Sequence, residues 1–227
     1  MTDTRLKDIL TYGSHEEVLE SLREAGAKLS ALAVHAQITQ VRTEQNFALH
    51  NLTNHTAQEL LRIAKNYDQG IDIVAWSTRN IFELNLLVRF VLQSESNATR
   101  FLVEAAKDEQ QVMEGFQSMN AVSSADAVQV INAHVDSLAA LAVKHEVNLI
   151  KPMTTLCLAS IVGCKDEYAA MFKFMSKYVH PSSWLINRSP QVTQSDEYRN
   201  ILLIKAQLYA GDSYERTRKA FGLPCGA

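Results

Sequence analysis

His180 closes a helical stretch, residues 171–184 with sequence MFKFMSKYVHPSSW, in which three reactive side chains share one face. Lys173, Ser176 and His180 fall together at helical spacing, while Phe172, Met175 and Val179 fall on another side. Pro181 pushes its predecessor out of helical geometry, which stations His180 at the helix C-terminus. There the negative end of the helix dipole favours the charged imidazole. An imidazole with a hydroxyl one turn back and an ammonium two turns back can move a proton and hold an anion. Tyr178 points elsewhere on this helix, and Trp184 reads as a core plug.

A second constellation lies in the helix spanning 71–93, which contains IVAWSTRNIFELNLLVRFVL. Only Asp72, Arg79, Glu83 and Arg89 carry charge in it, so the helix is apolar nearly all round and belongs at the centre of a bundle. Arg79 and Glu83 are four residues apart on one face, with Trp76 and Leu87 extending the stripe. Arginine before glutamate is the less favourable order along a helix, so the pair is not there for helix propensity. A buried ion pair is also a poor source of stability, because desolvation roughly cancels the attraction. Two readings stay open. The pair bridges neighbouring helices, or it lines a polar cleft whose other wall is the Ser176–His180 face. Asn80 adds a further polar group to that cleft. For His180 the alternatives are a helix-end ring bonded to a carbonyl and a working acid or base.

Helices must position both sets. Ser14 to Glu17 spells a capping box opening a helix that reaches about Gly26. Residues 27–67 hold neither glycine nor proline and read as one long helix, or as two broken near 51–54. Further helices are expected over 98–119, from a cap at Ser123 or Ser124 to about Leu149, and from Pro152 to Gly163. The last of these, TTLCLASIV, is apolar enough for full burial. The helix 166–180, a loop over 181–192, a core helix 196–209 capped by Ser195 and a short helix 213–221 complete the chain. No useful stretch alternates with period two. The expected fold is all-α, a single irregular bundle of about seven to eight helices, with an arm at 1–13, the domain at 14–222 and a tail at 223–227.

Several chemistries drop out on spacing. There is no H-E-x-x-H and no E-x-x-H, and His50 and His55 are spread around a helix, so neither a metal nor a cofactor is expected. His15, His35, His134 and His145 stand alone. No G-x-S-x-G elbow or phosphate-cradling glycine loop occurs. The net charge of −3 supplies no global field toward nucleic acid or anionic membrane, so RNA contact needs a local rim such as Lys173, Lys177 and Arg188. Three cysteines, Cys157, Cys164 and Cys225, form no C-x-x-C pair and read as reduced thiols, two buried and one on the tail. The N-terminus has no signal-peptide core, and no apolar run nears the roughly 18 residues of a membrane span. A cytoplasmic protein without membrane contact is expected.

The motif Arg79-Asn80-Ile81-Phe82-Glu83, followed late in the chain by Phe172-x-x-x-Ser176-x-x-x-His180-Pro181, resembles a family of bacterial helical proteins within the HEPN-like superfamily. The resemblance spans roughly residues 30–210. It implies a compact helical bundle, often a homodimer, and in many members a metal-independent RNase of toxin–antitoxin or antiviral defence systems. Other members are binding modules without catalysis. The usual nuclease motif is an arginine, four to six residues, then histidine. This chain departs from it, since Lys173 stands with six residues between it and His180. Two functions follow. The first is a ribonuclease in which His180 is the acid or base, Arg79 and Lys173 stabilise the phosphate, Glu83 fixes Arg79, and Ser176 orients His180 or the phosphate. Asn80, Lys177 and Arg188 would bind substrate, and an antitoxin or other partner protein would restrain the activity. The second is a non-catalytic dimeric scaffold, or a sensor for a small polar ligand or partner helix, with the long helix at 27–67 as the dimer seam.

Overall fold

Ser14 caps the first helix as the sequence indicates. The Glu17 carboxylate accepts from the Ser14 N–H at 2.7 Å, and the Ser14 hydroxyl accepts from the Glu17 N–H at 3.3 Å. The structure, a computed structural model, describes residues 10–118, 125–144 and 153–224. The first helix, α1 (His15–Thr39), runs through Gly26 rather than ending there. That glycine is buried against α2 (Glu44–Asn66), where an added Cβ would stand 3.0 Å from the Leu61 side chain and 3.4 Å from the Ala57 carbonyl. It is kept for close packing, not for a stop.

The glycine-free run 27–67 breaks at residues 40–43, neither continuing as one rod nor parting at 51–54. Thr43 caps α2 by accepting from the Asn46 N–H at 3.1 Å. The two helices then run antiparallel, with Gly26 opposite Ala57 and the Ala33 carbonyl meeting His50. Leu22, Leu29, Leu49, Leu60 and Ile63 are buried. The segment is therefore not one long rod, and hairpin closure buries Leu29, Leu32, Ala33 and Ala36 of α1 while Val34, Ile38, Val41 and Phe47 stay exposed.

Helix α3 (Ile71–Val91) is central, as its composition requires, and packs on α2 and α11 (Asp196–Ala220). Phe82, Ile81 and Leu86 are fully buried, and Phe82 meets Tyr209 of α11 with ring centroids 5.0 Å apart. Helices α4 (Glu95–Ser118) and α5 (Ala125–Lys144) follow. The expected caps at Ser123 and Ser124, the helix ends at Met119 and Leu149, and Pro152 lie outside the described residues. Helix α6 (Thr155–Ile161) is capped by Thr154 and is not fully buried. Leu158 and Ala159 face inward, whereas Leu156 and Ile161 are each 44% exposed, because so short a helix presents one face to α3. Cys157 is likewise exposed and Cys164 half-buried, so the expectation of two buried thiols fails; Cys225 lies outside the described residues.

Gly163, at φ 75°, ends α6 in a conformation that side chains rarely adopt. Helix α7 (Lys165–Glu167), a π turn (Tyr168–Phe172) and α8 (Lys173–Val179) then run on without a break to His180. The stretch expected as loop after Pro181 contains two short helices, α9 (Ser183–Asn187) and α10 (Pro190–Thr193). The Tyr178 hydroxyl pins this region by donating to the Thr193 carbonyl at 2.7 Å, and burial pushes that phenol up to about 12. Trp184 packs edge-on against Tyr178 and Tyr198, half-buried at the edge of the core instead of inside it. Ser195 caps α11, which continues unbroken past Gly211 instead of dividing. Ala210, Ser213 and Thr217 are buried on both sides of that glycine, and packing overrides its low propensity.

At the start of the chain, Thr11 is tied down, its N–H donating to Gln207 Oε1 at 2.9 Å and its hydroxyl to Ser21 at 2.9 Å. Among the described residues there is no strand, and the fold is all-α. No described helix is long and apolar enough to cross a membrane.

Candidate functional site

Two helices far apart in sequence set the site. α3 presents Arg79 and Glu83 at i and i+4, and Arg79 Nε donates to Glu83 Oε1 at 3.0 Å. Both are partly buried, with side-chain exposures of 19% and 34%. The arginine continues outward. Its Nη1 stands 3.3 Å from His180 Nε2, and its guanidinium lies 4.3 Å above the Phe172 ring. A carboxylate, an aromatic face and an imidazole therefore fix one guanidinium on three sides.

His180 sits where Pro181 requires, as the C-cap of α8 at φ −116° and ψ 151°, with its N–H donating to the Ser176 carbonyl at 3.2 Å. The ring is exposed, so the Arg79–His180 pair opens to solvent. Guanidinium has no acceptor. The contact is a hydrogen bond, with Arg79 donating, in the tautomer whose Nε2 carries no proton.

Other site candidates are placed less closely. The Ser176 hydroxyl donates to the Phe172 carbonyl at 2.7 Å, a local helix bond that engages its proton. Phe172, expected on a different side from His180, shares Arg79 with it, because the i+4 spacing of 172, 176 and 180 stacks them along one face about two turns long. The π turn places Phe172 in a stack with Tyr168, their rings 4.5 Å apart. Lys173 and Lys177 are exposed one turn apart on α8, and Arg188 is exposed beyond α9. None of the three has a recorded ion-pair partner among the described residues. Asn80 turns the other way, donating to Glu59 Oε1 of α2 at 3.2 Å.

Glu59 was not foreseen. It is 9% exposed and also receives Arg62 at 2.7 Å on Oε1, while its Oε2 is buried with no hydrogen-bond partner among the described residues. Leu52, Thr56, Glu59 and Ile63 form one helical stripe, so a carboxylate in a buried phase was the available signal. Arg62 lies with its guanidinium 4.8 Å over Trp76.

A second polar cluster joins α3 to α11. Asn85, 2% exposed, donates to Asp212 at 2.8 Å, to the Ser213 hydroxyl at 3.0 Å and to the Tyr209 carbonyl at 3.2 Å, and it accepts from Arg89 Nε at 3.0 Å. Arg89 and Arg216 both pair with Asp212, at 2.9 and 2.7 Å. Nearby, Lys205 pairs with Glu167 at 2.7 Å, and the Tyr209 hydroxyl donates to the same carboxylate. Asn85, Arg89, Glu167, Lys205, Tyr209 and Asp212 line a cavity of about 320 Å³. Burial, then the bond to Glu167 and its charge, push the Tyr209 phenol far up, so it stays a donor. Burial opposes the charge on Glu167, yet the bonds from Lys205 and Tyr209 hold its carboxyl below the usual range.

Asp212 behaves similarly. Burial opposes its charge, but hydrogen bonds from Arg216 and Asn85 and the charge of Arg89 prevail and lower its pKa. Below the ordinary value of 3.8 the unfolded chain takes up the proton first, so stability falls as pH drops through the window down to the folded value and is intact above it. Asp212→Asn is therefore expected to lower the urea midpoint at about pH 7, with the gap to the wild type narrowing as pH falls below 3.8. A pH-independent gap would show that the Asp212 charge contributes nothing to the fold.

A larger concavity, about 440 Å³, lies at the α1–α2 turn, remote from both clusters in sequence. Its histidine, His50, is committed to the Ala33 carbonyl at 2.8 Å. Among the described residues, no group of three or more His, Cys, Asp or Glu side chains is placed to hold a metal ion.

Residues 47–198 match the model of a protein family described as a family of unknown function, DUF5677. No curated protein and no solved structure matches the chain. The matched segment includes Arg79, Glu83 and His180 and omits most of α11.

Proposed function

The chain belongs to the DUF5677 family, and we propose, on the motif resemblance and the geometry of the Arg79–His180 pair, that it is a HEPN-like ribonuclease that cleaves RNA there without a metal ion. The observation that carries this reading is the 3.3 Å contact between Arg79 Nη1 and His180 Nε2 at a solvent-facing helix end. An imidazole nitrogen at a solvent-facing helix end can serve as general base, and the guanidinium beside it is within reach of the charge that develops next.

In this reaction His180 Nε2 takes the proton of an RNA 2′-hydroxyl, and the 2′-oxygen attacks the adjacent phosphorus. Arg79 exchanges its bond to the ring for one to the phosphorane oxygens, while Glu83 and Phe172 keep it in place. The imidazolium returns its proton to the departing 5′-oxygen. The products are a 2′,3′-cyclic phosphate and a 5′-hydroxyl, and no metal is needed because the guanidinium supplies the positive charge. Lys173 adds charge near the phosphate, and Lys177 and Arg188 guide the strand. Ser176 shapes the helix end instead of acting as a nucleophile, since its proton serves the Phe172 carbonyl. The HEPN resemblance extends the reading to a cytoplasmic toxin-type effector of stress or phage defence, restrained by a partner protein. The test is incubation with single-stranded RNA in EDTA. Cyclic-phosphate ends from the wild type and none from His180→Ala support the reading, and equal cleavage by both removes the site.

A second reading, a non-catalytic dimeric scaffold, has one observation in its favour. Val34, Ile38, Val41 and Phe47 are 52%, 76%, 76% and 57% exposed around the α1–α2 turn. Apolar side chains grouped this way mark interaction surfaces. Size-exclusion chromatography with light scattering is expected to give a dimer that Ile38→Asp converts to a monomer. A wild-type monomer at high concentration would dismiss this surface as a self-contact.

A further inference from the structure

Trp76 is out of place by the logic of burial. It lies on α3, whose other large apolar residues are buried or half-buried, yet its ring is 44% exposed. A tryptophan kept for stability would face inward, where its area contributes most. Instead it stands three residues before Arg79, which turns toward α8, and four before Asn80, which turns toward α2, so it lies between them and each is its neighbour one helical turn on. Arg62, tethered by Glu59, lies over the ring at 4.8 Å, and its side chain is 37% exposed. Asn80 is held by the same carboxylate, bonded through one amide hydrogen to Glu59. Its carbonyl oxygen has no recorded partner among the described residues.

We propose that Trp76, Arg62 and Asn80 form a nucleobase subsite beside the Arg79–His180 pair, which makes unpaired, single-stranded RNA the substrate. The proposal rests on the ribonuclease reading above. Aromatic and guanidinium planes stack on any base, and an amide can bond to a base edge that is free of its complement. One helical turn further along, Arg79 meets the phosphate of the same nucleotide and His180 its 2′-hydroxyl. A base in a duplex is stacked and paired on both sides and cannot enter. Glu59 matters here as a positioning residue, since its single engaged oxygen orients both Arg62 and Asn80.

The test uses the full chain carrying His180→Ala, which binds without turning over. Titration with a short oligouridylate is expected to quench tryptophan fluorescence, and the quench is expected to vanish in Trp76→Phe, which leaves only Trp184 to report. A duplex of equal length is expected to give no quench. In the cleaving protein, Trp76→Ala is expected to raise KM about 10-fold with kcat within about 3-fold, and Trp76→Phe to recover most of the loss. A quench that persists in Trp76→Phe, or an unchanged KM in Trp76→Ala, overturns the subsite while leaving cleavage at His180 intact. A Trp76-dependent quench in a protein that cleaves nothing supports the subsite and removes the ribonuclease reading.

Discussion

His180→Ala is expected to lower kcat for RNA cleavage by about 10²–10⁴-fold, the range by which a positioned acid–base group accelerates proton transfer. The protein should remain folded. The ring is exposed, and the helix end is closed by the backbone N–H of residue 180 and by Pro181, neither of which the substitution changes. Arg79→Ala is expected to cost about 10²–10³-fold, comparable to losing one donor to a transition-state anion. Arg79→Lys should recover little. A lysine keeps the charge but cannot donate at once to Glu83 at 3.0 Å and to a group where His180 stands at 3.3 Å. Circular dichroism and single-turnover cleavage rates check these together. Retention of kcat within 3-fold by a folded His180→Ala protein, with the threshold at roughly 0.6 kcal/mol, would take the imidazole out of the chemistry.

The largest effect on stability is expected at Asn85. Alanine there removes the amide NH2, whose two hydrogens are shared among the Tyr209 carbonyl, Asp212 and the Ser213 hydroxyl of α11, and it takes away the acceptor of Arg89. The freed groups are buried or half-buried, so their lost partners are not fully replaced by water. The cost is expected to be about 2–4 kcal/mol, seen as a fall in Tm of about 4–15 °C for a chain of this size. Arg89 and Arg216 keep Asp212 neutralised, which limits the loss. A change below about 0.5 kcal/mol would mean that the network serves conformational specificity more than stability.

The contrast between Arg79 and Asn85 shows what could be read from the chain. Arg79, Glu83 and His180 were legible because charge in an apolar helix and an imidazole before proline each conflict with local preference. Such conflicts mark groups held for another purpose. Their meeting was only an open alternative, since the Ser176–His180 face and the α3 face join through tertiary packing. Asn85 was silent, being one uncharged residue between Leu84 and Leu86, with its partners over 120 positions away. The helix ends failed at glycines. Gly26 and Gly211 read as stops, but the first permits a close crossing and the second is carried by buried neighbours. Gly163, with its positive φ, did stop a helix as expected. The break at 40–43 carries neither glycine nor proline, and the hairpin contacts of α1 and α2 decide it.

The central claim is that one guanidinium and one imidazole work as a unit, and a double-mutant cycle on cleavage in EDTA measures that directly. Rates are compared for the wild type, Arg79→Ala, His180→Ala and the double substitution. The account predicts that the double variant is about as slow as the slower single variant, because either loss already disables the pair. Losses that multiply, or a wild-type chain that leaves RNA uncut, would contradict it.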